Sequence, residues 1–186
     1  MSSTLILLID IVGGLFVMAI LLRFLLQLVK ADFYNPISQG IVKVTSPLLN
    51  PLRRIIPGFG GFDLASLILA FIVQCVLVML KMKIAGYMIF GSQLPTIALL
   101  SVQELLFTLL NIYQFALLIM VIASWVAPSS YHPGLILLHQ LTEPLCSRVR
   151  KFIPPMGGLD FSIMVLFIAI ILLKNMVATM SILPGM

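Results

Sequence analysis

Four apolar runs, each long enough to cross a lipid bilayer, constrain this chain more than any other feature. They cover roughly residues 4–29, 63–82, 102–126 and 160–182, and a spanning helix needs about 20 predominantly apolar residues. Only 9% of the 186 residues are charged, against about 25% in an ordinary soluble domain. A water-soluble fold of this length has too much surface for so few polar side chains to cover. We therefore predict an all-α integral membrane protein with four transmembrane helices.

An internal repeat divides these runs into two units. Pro47 matches Pro144 at an offset of 97 residues (144 − 47 = 97), and the same offset holds without a gap around them. Such a run of matches at one spacing indicates a duplicated structural unit. We predict two parallel tandem repeats, each built from a membrane helix, a kinked amphipathic interfacial helix and a second membrane helix. The offset also pairs Tyr34 with Tyr131, Thr45 with Thr142, Arg53 with Arg150 and Asp63 with Asp160.

The predicted first repeat covers residues 1–83, with its amphipathic segment at 36–57, and the second covers 102–186, with its amphipathic segment at 133–154. Residues 84–101 are predicted to be an interfacial linker, because glycines and a proline interrupt their apolar pattern. A re-entrant segment or a fifth span stays open there, since the stretch is near the lower length limit for a crossing. Both amphipathic segments are short and basic, so they should share one side of the membrane, which four spans satisfy and five do not.

Each amphipathic segment combines an apolar stripe with a basic face. In the first copy the stripe consists of Ile37, Ile41, Val44, Leu48, Leu52 and Ile55, at helical spacing. We predict a break near Thr45, with Ser46 as the N-cap of a second short helix that starts at Pro47. The basic residues predict contact with anionic lipid headgroups, serving either topology and anchoring alone or the docking of an acidic partner. They are Lys43, Arg53, Arg54, Arg148, Arg150 and Lys151.

A glycine-rich turn followed by an aspartate leads from each amphipathic segment into the next span. Glycine permits the tight reversal that this path requires. Asp63 and Asp160 stand where a membrane helix begins, so we predict that they are N-caps, paired with the neighbouring basic residues. A cation or proton site at these carboxylates is the alternative. The cap and turn residues are Pro47, Gly60, Gly61, Asp63, Pro144, Gly157, Gly158 and Asp160.

A few polar residues fall within the apolar runs, where they are costly and usually face a partner. Arg23 is close enough to one end of its run to extend to the membrane surface, and Lys174 is expected to pair with Glu104. Asn111 and Gln114 share a helix face and are expected to hydrogen-bond across a helix interface. None of these positions is polar at its counterpart in the other repeat, which favours helix packing over a symmetrically lined pathway.

The sequence provides little for catalysis. It lacks HExxH, GxSxG, Walker and CxxC motifs, and His132 and His139 do not have the spacing of a helical metal pair. Cys75 and Cys146 predict two separate thiols rather than a disulfide. The basic residues flank apolar runs, which is typical of membrane topology rather than of nucleic-acid binding. We predict a protein that is not an enzyme and that binds no metal, cofactor or nucleic acid.

With both repeats identified, the sequence resembles the YggT family of small bacterial inner-membrane proteins. The resemblance covers nearly the whole chain and rests on Thr45-Ser46-Pro47-Leu48 with Gly60-Gly61-Phe62-Asp63, and on Thr142-Glu143-Pro144-Leu145 with Gly157-Gly158-Leu159-Asp160. It implies a role in osmotic stress tolerance and ion homeostasis, and we expect a homo-oligomer or a membrane-protein partner. Plastid relatives are similar to assembly factors of a membrane cytochrome complex, which makes a scaffold the alternative. The basic segments are expected to be cytoplasmic and both termini periplasmic.

Overall fold

The computed structural model describes residues 2–56, 61–126, 131–153 and 160–179. These residues form no strand, and their one short 3-10 turn is Gly91–Gln93. Four of the helices are long and apolar enough to cross a membrane, namely α1, α3, α4 and α6. The predicted all-α membrane fold with four spans is therefore confirmed. The helices are α1 (Ser2–Leu28), α2 (Pro36–Ile55), α3 (Leu64–Ile84), α4 (Leu94–Val126), α5 (Pro133–Arg150) and α6 (Phe161–Thr179).

The sequence repeat reappears as a structural repeat. Helix α2 begins at Pro36 and α5 at Pro133 (133 − 36 = 97), and α3 begins at Leu64 and α6 at Phe161 (161 − 64 = 97). In each amphipathic helix the proline occupies the first turn, where its missing N–H is not needed. We call α2 with the turn into α3 the first elbow, and α5 with the turn into α6 the second elbow.

Both elbows lie at the same end of the helix bundle, as predicted. The side-chain nitrogen of Asn35, the N-cap of α2, donates to the carbonyl of Pro133 at 2.8 Å. The backbone N–H of Asp32 donates to the side-chain oxygen of Gln140 on α5 at 3.1 Å. A chain with five spans would place the two amphipathic helices at opposite ends, so these contacts agree with four spans.

The core lies between α1, α3 and the adjoining faces of α2 and α4. Val17, Ile20 and Leu21 of α1 are buried there, and Leu49 inserts from α2 with none of its surface exposed. Outward-facing apolar side chains are numerous on every span. This distribution is expected where lipid replaces water around the bundle, because the spans need not hide their apolar surface from hydrocarbon.

The linker between the repeats is shorter than predicted. Helix α3 ends with a left-handed Gly86, whose N–H bonds to the carbonyl of Lys83 while that of Tyr87 bonds to the carbonyl of Met82. Helix α4 begins at Leu94, eight residues before the predicted start at 102 (102 − 94 = 8). Pro95 falls in the first turn of α4, where a proline starts a helix instead of interrupting it. At 33 residues, α4 is roughly 50 Å long, which exceeds the roughly 30 Å of a hydrocarbon core.

The predicted break in the first amphipathic helix is wrong. Helix α2 runs through Pro47 and Pro51 to Ile55. Ser46 is not an N-cap, because its hydroxyl donates backwards to the carbonyl of Val42 at 2.6 Å. Thr45 and Leu49 are both completely buried on either side of Pro47. Their packing favours continuity of the helix despite the backbone hydrogen bond that a proline removes.

The contact between α1 and α3 depends on Gly13. A methyl group at this position would lie 2.4 Å from a terminal carbon of Leu77, whereas one at Gly14 would meet nothing within 4 Å. Because the end of the Leu77 side chain must shift, we expect Gly13→Ala to be less stable than Gly14→Ala by about 1 kcal/mol. Gly14→Ala is the matched control, and it should leave stability unchanged or slightly raised because alanine favours the helix. Steric trapping in bicelles measures both, and equal stability of the two variants would contradict this packing.

Candidate functional site

An ion pair holds the first elbow closed. Arg53, in the last turn of α2, pairs with Asp63, the N-cap of α3. The second oxygen of Asp63 accepts the N–H of Ser66 at 3.3 Å. Arg53 also donates to the side-chain oxygen of Gln27 on α1 at 3.1 Å, so one guanidinium joins three helices. Both carboxylate oxygens are therefore occupied by the elbow, an arrangement that favours the cap over a cation or proton site.

The titration of Asp63 agrees with this structural role. Only 3% of its side chain is exposed. Burial raises the pKa of the carboxyl, but hydrogen bonds from Arg53 and Ser66 outweigh it, and the pKa lies below its ordinary value. The carboxylate is thus charged throughout the physiological range. Gly61 adopts the predicted turn with a φ of 90°, while Gly60, Gly157 and Gly158 lie outside the described residues.

The second elbow contains the equivalent arginine–aspartate ion pair, but the arginine has different additional partners. Arg150 donates to Asp160 at 2.8 Å, and Asp160 accepts the N–H of Ser162 at 2.9 Å. Arg150 also makes two bonds to Glu143 on its own helix, at 2.8 and 3.0 Å. Burial raises the pKa of Asp160, but the bonds from Arg150 and Ser162 outweigh it and bring the pKa below its ordinary value. Unlike Arg53, Arg150 forms no hydrogen bond with the preceding span, α4, within the described residues.

The structure divides the six predicted headgroup-binding residues into two groups. Arg53 and Arg150 are committed to the elbows. The other four are exposed and form no ion pair with any described residue. The lipid- or partner-binding surface that the sequence predicts is therefore reduced to four residues, which we call the basic surface: Lys43, Arg54, Arg148 and Lys151.

Helix α2 presents three faces. Ser38, Thr45 and Leu49 face the bundle and are buried. Most of the predicted apolar stripe faces away from the protein, and Val44 and Leu48 are 59% and 52% exposed. Two members of the stripe are half-buried and pack against the core clusters, namely Ile41 and Leu52. The basic residues of α2 occupy a third face, so the helix has protein on one side, an apolar surface suited to lipid on another, and cations on the third.

Arg23 does not extend to the membrane surface as predicted. It is 5% exposed and donates to the hydroxyls of Thr45 and Ser46 on α2, at 2.7 and 3.1 Å, and to the carbonyl of Val42 at 3.2 Å. The sequence does not predict this contact, because the two hydroxyl acceptors lie on α2 at the position of the predicted break. The first elbow is thus tied to α1 by both Arg23 and Arg53.

The predicted pair between Lys174 and Glu104 is also wrong. The ammonium of Lys174 on α6 donates to the side-chain oxygen of Gln114 on α4 at 2.8 Å. Gln114 thus bonds across a helix interface as predicted, whereas half-buried Asn111 forms no side-chain hydrogen bond with the described residues. Glu104 lies instead beside α3, because its face of α4 is turned away from α6.

Glu104 lines a polar cavity of about 360 Å³ between α1, α3 and α4. Asp10 and Lys81 form an ion pair at its edge, with 2.9 Å between their charged atoms. Gln74 and Thr108 supply the remaining polar lining. Sequence reasoning missed this cavity because Asp10 and Lys81 are far apart in the chain. The available signal was that Asp10 interrupts the first apolar run and Lys81 ends the second.

Gln74 distinguishes the cavity from an ordinary polar contact between helices. The residue is only 6% exposed, yet its amide forms no hydrogen bond with any described residue. Glu104 is exposed and its carboxylate likewise has no ion-pair partner among the described residues. The cavity lies towards the end of the bundle opposite the elbows, since Lys81 is in the last turn of α3.

The metal-ligating and thiol side chains are dispersed over the described part of the chain. Its His, Cys, Asp and Glu side chains form no group of three or more that could hold a metal ion. Cys75 and Cys146 are both free thiols. Burial raises the pKa of Cys146 to about 11, which keeps this thiol protonated and unreactive.

Known proteins share both repeats. A sequence profile of the CCB3/YggT family matches residues 2–84 and 99–181, again 97 residues apart (99 − 2 = 97). An uncharacterised protein of Pseudomonas aeruginosa is 50% identical over 167 residues, which are 89% of this chain and 83% of that protein. A protein encoded in the proC 3′ region of Vibrio alginolyticus is 43% identical, over 88% of this chain and 87% of its own. YggT of Escherichia coli K12 is 38% identical, over 95% and 90%. No solved structure matches the chain.

Proposed function

The chain belongs to the CCB3/YggT family of membrane proteins, and from this premise we propose that it supports osmotic tolerance and ion homeostasis as a non-catalytic protein of the bacterial inner membrane. The observation that carries the proposal is the polar cavity between α1, α3 and α4. Charged and amide groups at membrane depth are costly, so they are retained where they serve an ion or a polar solute.

In the proposed orientation the elbows and the basic surface are cytoplasmic, and the termini and the mouth of the cavity are periplasmic. The excess of Lys and Arg around the elbows supports this assignment, and the basic surface would then contact anionic headgroups of the inner leaflet. A continuous pathway through one protomer has little support, because apolar core residues and buried Arg23 lie between the cavity and the elbows. The proposed role therefore involves ion binding within the protomer, or conduction only along an axis shared by several protomers.

A scaffold function is the second candidate, and the unpaired basic surface favours it. Four exposed cations that form no ion pair with the described residues are suited to an acidic client as well as to lipid. The two candidates use opposite ends of the bundle. Variants confined to one end therefore separate them.

The test is growth of a null strain of a host bacterium at raised NaCl and in iso-osmotic sucrose. We expect the null strain to grow more slowly in salt, wild-type protein to restore growth, and Gln74→Leu to fail. A variant with Lys43, Arg54, Arg148 and Lys151 all changed to Gln should restore growth, provided that labelling of single cysteines shows its orientation unchanged. The reverse pattern would favour the scaffold, and equal growth of null and wild-type strains would reject the osmotic role. Immunoblots of membranes verify equal protein levels.

A further inference from the structure

The polar cavity carries one unbalanced negative charge. Lys81 neutralises Asp10 through the 2.9 Å ion pair. Glu104 is the other carboxylate of the lining and has no ion-pair partner among the described residues. A carboxylate at this depth, beside low-dielectric hydrocarbon, is expected to attract a positive charge more strongly than one in water does.

The neutral groups of the lining also point to an occupant. Gln74 is more than nine-tenths buried and lines the cavity with its amide unsatisfied by the described residues. An amide that faces a cavity without a protein partner takes its hydrogen bonds from whatever occupies that cavity, either water or a ligand. The hydroxyl of Thr108 donates to the backbone carbonyl of Glu104 at 2.9 Å, so the oxygen of Thr108 is left with its lone pairs available.

We infer that this cavity binds a single hydrated alkali cation, with Glu104 supplying the charge and Gln74 and Thr108 supplying neutral oxygen ligands. This inference deepens the proposed function, on which it rests for its biological purpose. Oxygen ligands select hard cations. One uncompensated carboxylate balances the charge of a monovalent ion, whereas Ca²⁺ usually takes more carboxylate ligands than the lining leaves free.

The size of the cavity sets the hydration of the ion. A volume of about 360 Å³ has room for several water molecules beside the ion. The ion therefore keeps part of its water shell, and its contacts to Gln74 and Thr108 include bridging water. Partial hydration predicts weak binding and little discrimination between Na⁺ and K⁺.

The experiment uses the full chain in nanodiscs of phosphatidylcholine, whose headgroups carry no net charge. Excess broadening of the ²³Na NMR signal over empty nanodiscs reports bound Na⁺. We expect K⁺ to displace Na⁺, and choline, at equal ionic strength, to leave it bound. Glu104→Gln should weaken Na⁺ binding by about tenfold or more, since it removes the charged ligand. Gln74→Leu should weaken binding by about threefold to tenfold.

Asp32→Asn is the matched control, because Asp32 is an exposed carboxylate near the elbows, at the other end of the bundle. It should bind Na⁺ as the wild type does. Size-exclusion chromatography and circular dichroism establish that each variant is folded; Glu104→Gln is an exposed, isosteric change, so it keeps the test sharp even where Gln74→Leu is unstable.

Absence of excess broadening in the wild type would overturn the inference, as would undiminished broadening in Glu104→Gln or an equal loss in Asp32→Asn. Displacement by choline as effective as that by K⁺, or by Mg²⁺ at far lower concentration than K⁺, would also overturn it. This binding assay is independent of growth. Na⁺ binding without a growth defect in the null strain would reject the proposed function alone, and a salt-sensitive null strain rescued by Glu104→Gln would reject the cavity as the basis of that function.

Discussion

Asp63→Asn is expected to destabilise the protein by about 2–3 kcal/mol, because it leaves Arg53 without a counter-ion at the elbow. Loss of one partner of a fully buried pair costs about 3–5 kcal/mol. We expect a smaller loss than for a fully buried pair because only Asp63 is buried. Its side chain is 3% exposed, whereas that of Arg53 is 35% exposed, so water partly solvates the guanidinium. The change also weakens the N-cap of α3 and the link through Arg53 to Gln27.

The second repeat supplies the control for this prediction. Asp160→Asn should cost only about 1 kcal/mol, because Asp160 is 26% exposed and Arg150 keeps its two bonds to Glu143. Steric trapping in bicelles measures both free energies of unfolding. Equal losses in the two variants would contradict the asymmetry between the elbows.

The stability of Asp63→Asn is expected to depend on pH less than that of the wild type. The pKa of Asp63 is lower in the folded protein than its ordinary value, which is about 3.9. The ionised Asp63 carboxylate therefore contributes fully to the free energy of unfolding at pH values above its ordinary pKa. This contribution is lost as the pH falls through the pKa of the folded protein. The wild type should lose stability in that acidic window, and Asp63→Asn should lose less.

Leu49→Ala is expected to destabilise the protein by about 2–4 kcal/mol, since it leaves a cavity where α2 inserts into the bundle. Leu49 is completely buried and packs in the core cluster with Ile20 and Ala65. The loss should appear as a lower free energy of unfolding and as faster proteolysis at α2, because this side chain anchors the helix to the spans.

Leu48→Ala is the matched control for Leu49. It makes the same chemical change one position earlier, where 52% of the side chain is exposed. We expect its effect to stay within about 0.5 kcal/mol. A larger loss at Leu48 than at Leu49 would show that α2 is rotated relative to the bundle.

The sequence predicts the architecture well because lipid imposes simple requirements. Span length, helical periodicity and the repeat together identify four membrane helices and two amphipathic ones, and Asp63 and Asp160 stand at helix starts where a carboxylate caps free N–H groups. These features are local in the chain or fixed by the offset of the repeat. Their physical causes act within a few residues.

Contacts between distant helices are less predictable. The sequence places Lys174 and Glu104 on suitable helices, but the rotation of α4 decides that Lys174 meets Gln114 while Glu104 faces α3. Arg23 was expected to extend along its own helix to the surface, and its actual acceptors lie on α2. The prolines of α2 suggested a break because propensity alone omits the packing of Thr45 and Leu49.

The bond from Asn35 to the carbonyl of Pro133 joins the two copies of the unit where their amphipathic helices begin. A chain with one copy of the unit could form such a contact only with a second molecule. The fraction of molecules in contact would then depend on their concentration in the membrane. Here the connecting polypeptide supplies a high effective concentration, so dilution in the membrane does not separate the halves. Duplication thus replaces a bimolecular association with an intramolecular one. Each copy can differ in sequence from the other while the two stay in contact.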